Sequence, residues 1–148
     1  MSADRSDGSQ RIVVGVDGSP SSKAALRWAL CQAELTGAVV EAVTAWWYPS
    51  GFGLAGAPDD TADSADAAEK TLTVALAEVS GLDPQVMVRP RIVQGHPAQV
   101  LEREAVGANL LVVGRGRRGL LGTVLGSVSQ HCAQQAPCPV LVVREPGP

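Results

Sequence analysis

Aromatic residues are scarce: three tryptophans, one tyrosine and one phenylalanine in 148 residues. Surfaces that hold single-stranded nucleic acid stack bases on aromatic rings, so so few rings argue against that function. A net charge of −3 adds no basic footprint for a phosphate backbone, and no nucleic-acid partner is expected. Lysine occurs only at Lys23 and Lys70, and neither ends a Gly-x4-Gly-Lys-Ser/Thr run, which removes P-loop nucleotide hydrolysis. Cysteine is limited to Cys31, Cys132 and Cys138, an odd number without metal-type spacing. They are expected to be reduced thiols, at least two of them buried. A redox role for Cys132 and Cys138 stays open, although the Cys-x-x-Cys spacing is missing. No apolar run approaches the roughly 20 residues that span a bilayer. Met1 to Gln10 is polar and lacks the apolar core of a signal peptide, so a cytoplasmic protein with no membrane partner is expected.

What remains is an ordinary globular composition, with 45% apolar and 18% charged residues, that can build one core. Ile12 to Val16 is a nearly continuous β-branched run, as in a strand covered on both faces. Ser19-Pro20 then offers an N-cap and a proline at the first helical position. The helix that follows carries Leu26, Ala29, Leu30 and Ala33 on one stripe and stops at Gly37. Val39 to Trp46 is a second strand. Pro49 to Asp63, rich in Gly, Pro, Ala and Asp, is a long mobile loop placed to act as a lid.

A second helix places Ala68, Leu72, Ala75, Leu76 and Val79 inward and ends near Gly81. Val86 to Val93 is a third strand, with Pro90 marking it as an edge. Pro97 opens a third helix with Val100, Leu101 and Ala105 inward, and Leu110 to Val113 is strand four. A last helix from Gly126 to Ala136 uses Leu125, Val128 and Cys132, and Pro137 blocks its extension. Val140 to Val143 is strand five. Strict alternation of strands and helices predicts a Rossmann-like α/β domain. Its open five-stranded parallel sheet has order 3-2-1-4-5 and helices on both faces. The domain spans residues 11–144, between a disordered tail at 1–10 and a short tail at 145–148.

In this order strands one and four flank the point where the winding reverses, the usual ligand crevice of such sheets. Strand one ends at Asp17. Strand four ends in Gly114-Arg115-Gly116-Arg117-Arg118-Gly119, and Gly126-Ser127 opens the next helix. Glycines let backbone N–H groups approach an anion, and a helix N-terminus adds uncapped donors and partial positive charge. The pattern is that of a phosphate site. Gly114-x-Gly116-x-x-Gly119 also matches the dinucleotide fingerprint. It lies in the last βαβ unit, however, and Pro139 stands where the acidic residue belongs. Asp17 has two roles open to it, capping its own turn or accepting hydrogen bonds from a ligand. Arg115 and Arg117 are candidate phosphate contacts beside Arg118, although loop arginines are commonly just solvated. Trp46, Trp47 and Tyr48 either wall a pocket or pack under the long loop. His96, before Pro97, suits a helix cap, and His131 suits a helix flank.

Four segments together resemble the universal stress protein family. They are Ile12-Val13-Val14-Gly15-Val16-Asp17-Gly18-Ser19, Ala108-Asn109-Leu110-Leu111-Val112-Val113-Gly114, Leu125-Gly126-Ser127-Val128 and Cys138-Pro139-Val140-Leu141-Val142-Val143. The resemblance covers about Arg11 to Arg144. It implies the five-stranded fold above and a homodimer through the last strand, Val140 to Val143. The ATP-binding branch carries Gly-x2-Gly-x9-Gly followed by Ser or Thr. Gly116, Gly126 and Ser127 fit that spacing. Gly114 lies two positions before Gly116 where the pattern has three, so the loop is one residue short.

By that resemblance Gly114, Gly116, Gly126 and Ser127 contact phosphate, Asp17 lies near the adenine or ribose, and the Ala45 backbone receives the adenine edge. Asn109 replaces a usual aspartate. The implied function is ATP binding, with Mg²⁺, by a non-enzymatic sensor or regulator that acts through an unknown protein partner. No protein side chains are assigned as metal ligands. The alternative is a dimeric stress or interaction protein that no longer binds nucleotide. One backbone donor fewer costs about 1.5–3 kcal/mol where it meets a charged group, so affinity is expected to fall or to shift toward another nucleotide.

Overall fold

The computed structural model describes residues 10–47, 64–79, 85–116 and 126–145. Expectations for the Pro49–Asp63 lid, for Tyr48, Gly81, Arg117, Arg118, Gly119 and Leu125, and for most of the two tails lie outside the described residues. The elements run β1 (Arg11–Gly15), α1 (Pro20–Thr36), β2 (Val39–Trp46), α2 (Ala65–Val79), β3 (Val88–Gln94), α3 (Pro97–Glu104), β4 (Leu110–Gly114), α4 (Ser127–Gln135) and β5 (Val140–Val143). The five strands form one parallel sheet in the order β3-β2-β1-β4-β5. This is the α/β Rossmann-like fold that the alternation predicts.

Side-chain alternation along the buried strands builds two cores, one on each face of the sheet. Ile12, Val14, Val40 and Val112 pack against Leu26, Ala29 and Ala33 of α1 and Leu72, Ala75 and Val79 of α2. Val13, Val43, Leu111 and Val113 pack against Val100 and Leu101 of α3 and Cys132 of α4. Each large aliphatic side chain so buried contributes roughly 1.5–3 kcal/mol, which is what holds the helices to the sheet.

Local signals set most boundaries. Ser19 Oγ accepts the Ser22 N–H at 3.2 Å, with Pro20 opening α1. Gly37 closes the helix in the left-handed region (φ 77°), donating to the Ala33 carbonyl at 2.8 Å. His96 caps α3 by accepting the Ala98 N–H on Nδ1 at 3.2 Å, as its place before Pro97 suggests. Pro90 does lie on an edge strand.

Four expectations need correction. β1 closes at Gly15, because the chain turns away at Asp17 although the Val16 N–H still reaches the Val43 carbonyl at 2.8 Å. β3 starts at Val88, since Gln85 and Val86 form a turn. α4 is one residue shorter at each end: Gly126 is its cap, and Ala136 is extended (ψ 145°), the conformation Pro137 imposes on its predecessor. Of the cysteines only Cys132 is buried, with Cys138 half-buried and Cys31 exposed. Cys31 lies on the outer side of α1, away from the Leu26, Ala29, Leu30 and Ala33 stripe.

At the opposite end of the sheet from the crevice, the buried Arg11 side chain pairs with Glu41 at 2.7 Å. It also donates to the carbonyls of Glu104 and Val106 at 3.1 and 2.6 Å. Asn109 brackets the same residue, its Oδ1 accepting the Arg11 N–H at 2.8 Å and its own N–H donating to the Arg11 carbonyl at 2.9 Å.

Candidate functional site

The C-terminal ends of β1 and β4 are joined through the first turn of α1, whose serines are turned inward. After Val16 the chain turns at Asp17 and Gly18, and Gly18 adopts φ 86°, a conformation costly for a side chain. Asp17 Oδ1 accepts the Ser19 N–H at 2.8 Å, and the Asp17 N–H donates to Ser22 Oγ at 3.3 Å. The carboxylate is therefore held in a turn while the residue stays exposed at the rim of the crevice. Both roles considered for Asp17 are compatible with that placement.

Beside it, Ala45 lies two residues beyond Val43, the last β2 partner in the β1 register. The Val43 carbonyl faces β1, accepting the Val16 N–H, whereas the Trp46 carbonyl faces β3, accepting the Gly95 N–H at 2.8 Å. Alternation along the strand thus sends the Ala45 peptide groups to the β1 side, where β1 has already turned off.

On β4, a Cβ on Gly114 would stand 2.5 Å from the Ser21 carbonyl carbon and 2.6 Å from the Ser22 nitrogen. α1 packs so tightly here that a glycine is needed on packing grounds alone. Gly116 follows at φ 88°, and its N–H donates to Ser21 Oγ at 3.2 Å.

The chain leaves this point and returns to it at Gly126, whose N–H donates to the Arg115 carbonyl at 2.7 Å. A Cβ on Gly126 would lie 3.2 Å from that carbonyl oxygen and 3.3 Å from the Gly116 Cα. The buried Ser129 hydroxyl donates toward the Arg115 and Gly126 carbonyls at 3.0 and 3.1 Å. Gly116 and Gly126 are thereby fastened together at the N-terminus of α4. Gly126 supplies no side-chain cap, and Ser127 is exposed at the helix start. The first-turn N–H groups and the helix dipole present a site suited to an anion.

Gly114, Gly116, Gly126 and Ser127 thus cluster at one end of β4, and Asp17 and Ala45 stand at the adjoining ends of β1 and β2. The Arg115 side chain is only 9% exposed and faces Glu145, with Nε 3.4 Å from Oε1. Arg117, the other candidate phosphate arm, is outside the described residues. Trp47 packs edge-on against His96, ring centres 5.2 Å apart, above the ends of β2 and β3. His131 pairs with Glu102 at 2.8 Å, bridging α4 to α3.

Sequence reasoning missed Ser21, Ser22 and Ser129, which organise the two turns. Their signal was a serine on the buried phase of an amphipathic helix. Among the described residues no group of three His, Cys, Asp or Glu side chains converges to hold a metal. The three cysteines are free. Burial, then Glu102 and Cys138, push the Cys132 thiol up to about 11, so it is not an activated nucleophile.

The universal stress protein family model matches residues 8–144. Universal stress protein Rv2005c of Mycobacterium tuberculosis is 37% identical over 135 residues, covering 90% of this chain and 45% of its own length. A universal stress protein of Mycolicibacterium smegmatis is 35% identical over 134 residues, again covering 90% and 45%. The chain therefore spans less than half the length of these relatives. Among solved structures, a universal stress protein in complex with cAMP superposes with a TM-score of 0.70 at 29% identity, covering 93% of this chain and 98% of that one. With a matched segment that includes both glycine turns and all five strands, the chain belongs to the universal stress protein family.

Proposed function

We propose that this chain binds an adenine nucleotide in the crevice between β1 and β4, with ATP and Mg²⁺ as the ligand. The observation that carries this reading is the joining of Gly116 and Gly126 beneath the uncapped start of α4, at the point where the sheet order reverses. Backbone N–H groups near Gly116, Gly126 and Ser127 would hold the phosphates. Asp17 would accept from the sugar or base, and the Ala45 peptide would meet the adenine edge. Mg²⁺ would be carried on the phosphates, and its charge would supply neutralisation there. The 29% identical relative solved in complex with cAMP supports an adenine nucleotide as the ligand class.

The reading is of binding and signalling, with at most slow hydrolysis. The bound state would be read by a protein partner in the cytoplasm. Residues 11–144 would act as one nucleotide-binding unit. Homodimerisation through Val140–Val143 is part of the same proposal, because this half-buried apolar strand forms an edge of the sheet.

Equilibrium dialysis with ATP, AMP and cAMP tests the reading. Saturable binding of at least one, with product formation far below one turnover per minute for ATP, is about what a sensor without a catalytic base gives. Absence of binding to all three contradicts it.

A further inference from the structure

Arg115 links the loop base to the end of β5. Its N–H donates to the Val143 carbonyl at 2.9 Å, and its own carbonyl receives Gly126 and Ser129. Its guanidinium is buried, yet among the described residues Nε and one terminal nitrogen have no hydrogen-bond partner. Glu145, at 3.4 Å, neutralises the charge without making a well-formed hydrogen bond. Buried donors left unmade are costly, and a planar guanidinium is suited to two-point contact with phosphate.

Alternation indicates where this side chain points. Val112 belongs to the α1–α2 core and Val113 to the α3–α4 core, while Gly114 faces Ser21 of α1. Carried one residue further, Arg115 falls on the α4 side, where the helix begins at Gly126-Ser127. The under-satisfied buried cation thus falls on the face of the sheet from which the uncapped helix starts.

We infer that Arg115 contacts a phosphate of the bound nucleotide in competition with Glu145, so that nucleotide binding loosens the Arg115–Glu145 tie at the end of β5. The inference rests on the nucleotide-binding reading above. Glu145 is the counter-anion that faces Arg115, and a phosphate oxygen would displace it. Because the tie closes the edge strand, occupancy of the site would be transmitted to β5.

Calorimetry of the full chain with ATP and with adenosine, which lacks phosphate, tests this. Arg115→Met should weaken ATP roughly tenfold or more while leaving adenosine within about twofold, the size expected for one charge-assisted contact. Glu145→Gln should strengthen ATP and leave adenosine unchanged, an opposite sign that damage to the fold cannot imitate. Wild-type protein that binds ATP, with Arg115→Met binding it equally well, overturns this inference alone. Equal losses for ATP and adenosine in Arg115→Met, or weaker ATP binding in Glu145→Gln, also overturn it. Wild-type protein that ignores both ligands overturns the nucleotide reading and this inference with it.

Discussion

Ser21 Oγ accepts the backbone N–H of Gly116 at 3.2 Å, joining the first turn of α1 to the glycine turn after β4 across 95 positions of sequence. The bond fixes where the Gly116 peptide sits, and hence where the loop and α4 begin. Ser21→Ala leaves a part-buried N–H without its partner and should lower stability by about 1–3 kcal/mol. It should also weaken ATP binding, since Gly116 is placed through this contact. Urea unfolding and calorimetry on the same variant check both. An unchanged midpoint with unchanged affinity would show that the bond positions nothing.

Gly114 supports a sharper expectation. Its missing side chain is replaced by α1 backbone, which has no flexible end to yield. Gly114→Ala should force the helix outward and cost about 1–3 kcal/mol or more, as overpacking does. A denaturation midpoint equal to that of the wild type would contradict the close approach.

The chain order of strands and helices was legible because each element carries its own local signal: β-branched runs, Ser19-Pro20, Gly37, Pro97 and Pro137. The turn after β4 was legible as a glycine pattern. What could not be read locally is who meets whom. Arg11 finds Glu41 across 30 positions, Gly116 finds Ser21 across 95, and Arg115 finds Glu145 only because β4 and β5 pair. The cysteine error has a different root: Cys31 lies outside the Leu26, Ala29, Leu30 and Ala33 stripe already visible in the sequence, and Cys138 is only half-buried. Gly114, assigned to phosphate by resemblance, has a packing reason that spacing alone does not reveal.

The Arg11–Glu41 pair predicts an asymmetry between breaking it and replacing it. Glu41→Ala strands a buried guanidinium and should destabilise by about 3–5 kcal/mol, although the Glu104 and Val106 carbonyls soften the loss. Arg11→Met combined with Glu41→Leu should be much milder. Thermal melts of both compare the two, and equal destabilisation would contradict a buried, desolvated pair.

Cys132 makes stability fall at alkaline pH. Burial lifts its thiol from 9.0 to about 11, so the unfolded chain loses this proton first as pH rises. The contribution is complete below about pH 9 and is lost on passing to about pH 11, because the folded state binds more protons in that window. Cys132→Ala should flatten that part of the stability profile. Native protein should react with a thiol reagent first at exposed Cys31 and at Cys132 only on unfolding. Rapid modification of Cys132 in the folded state would contradict its burial.

The most direct test of the central claim is ATP titration of the wild type and Gly126→Val by calorimetry, with a thermal melt of each. A Cβ at position 126 already crowds the Arg115 carbonyl and the Gly116 Cα, so valine should part the two glycine turns while leaving both cores intact. The account predicts saturable ATP binding by the wild type and its loss in a folded Gly126→Val. A wild type that ignores ATP, or a variant that binds it as tightly, would contradict the site.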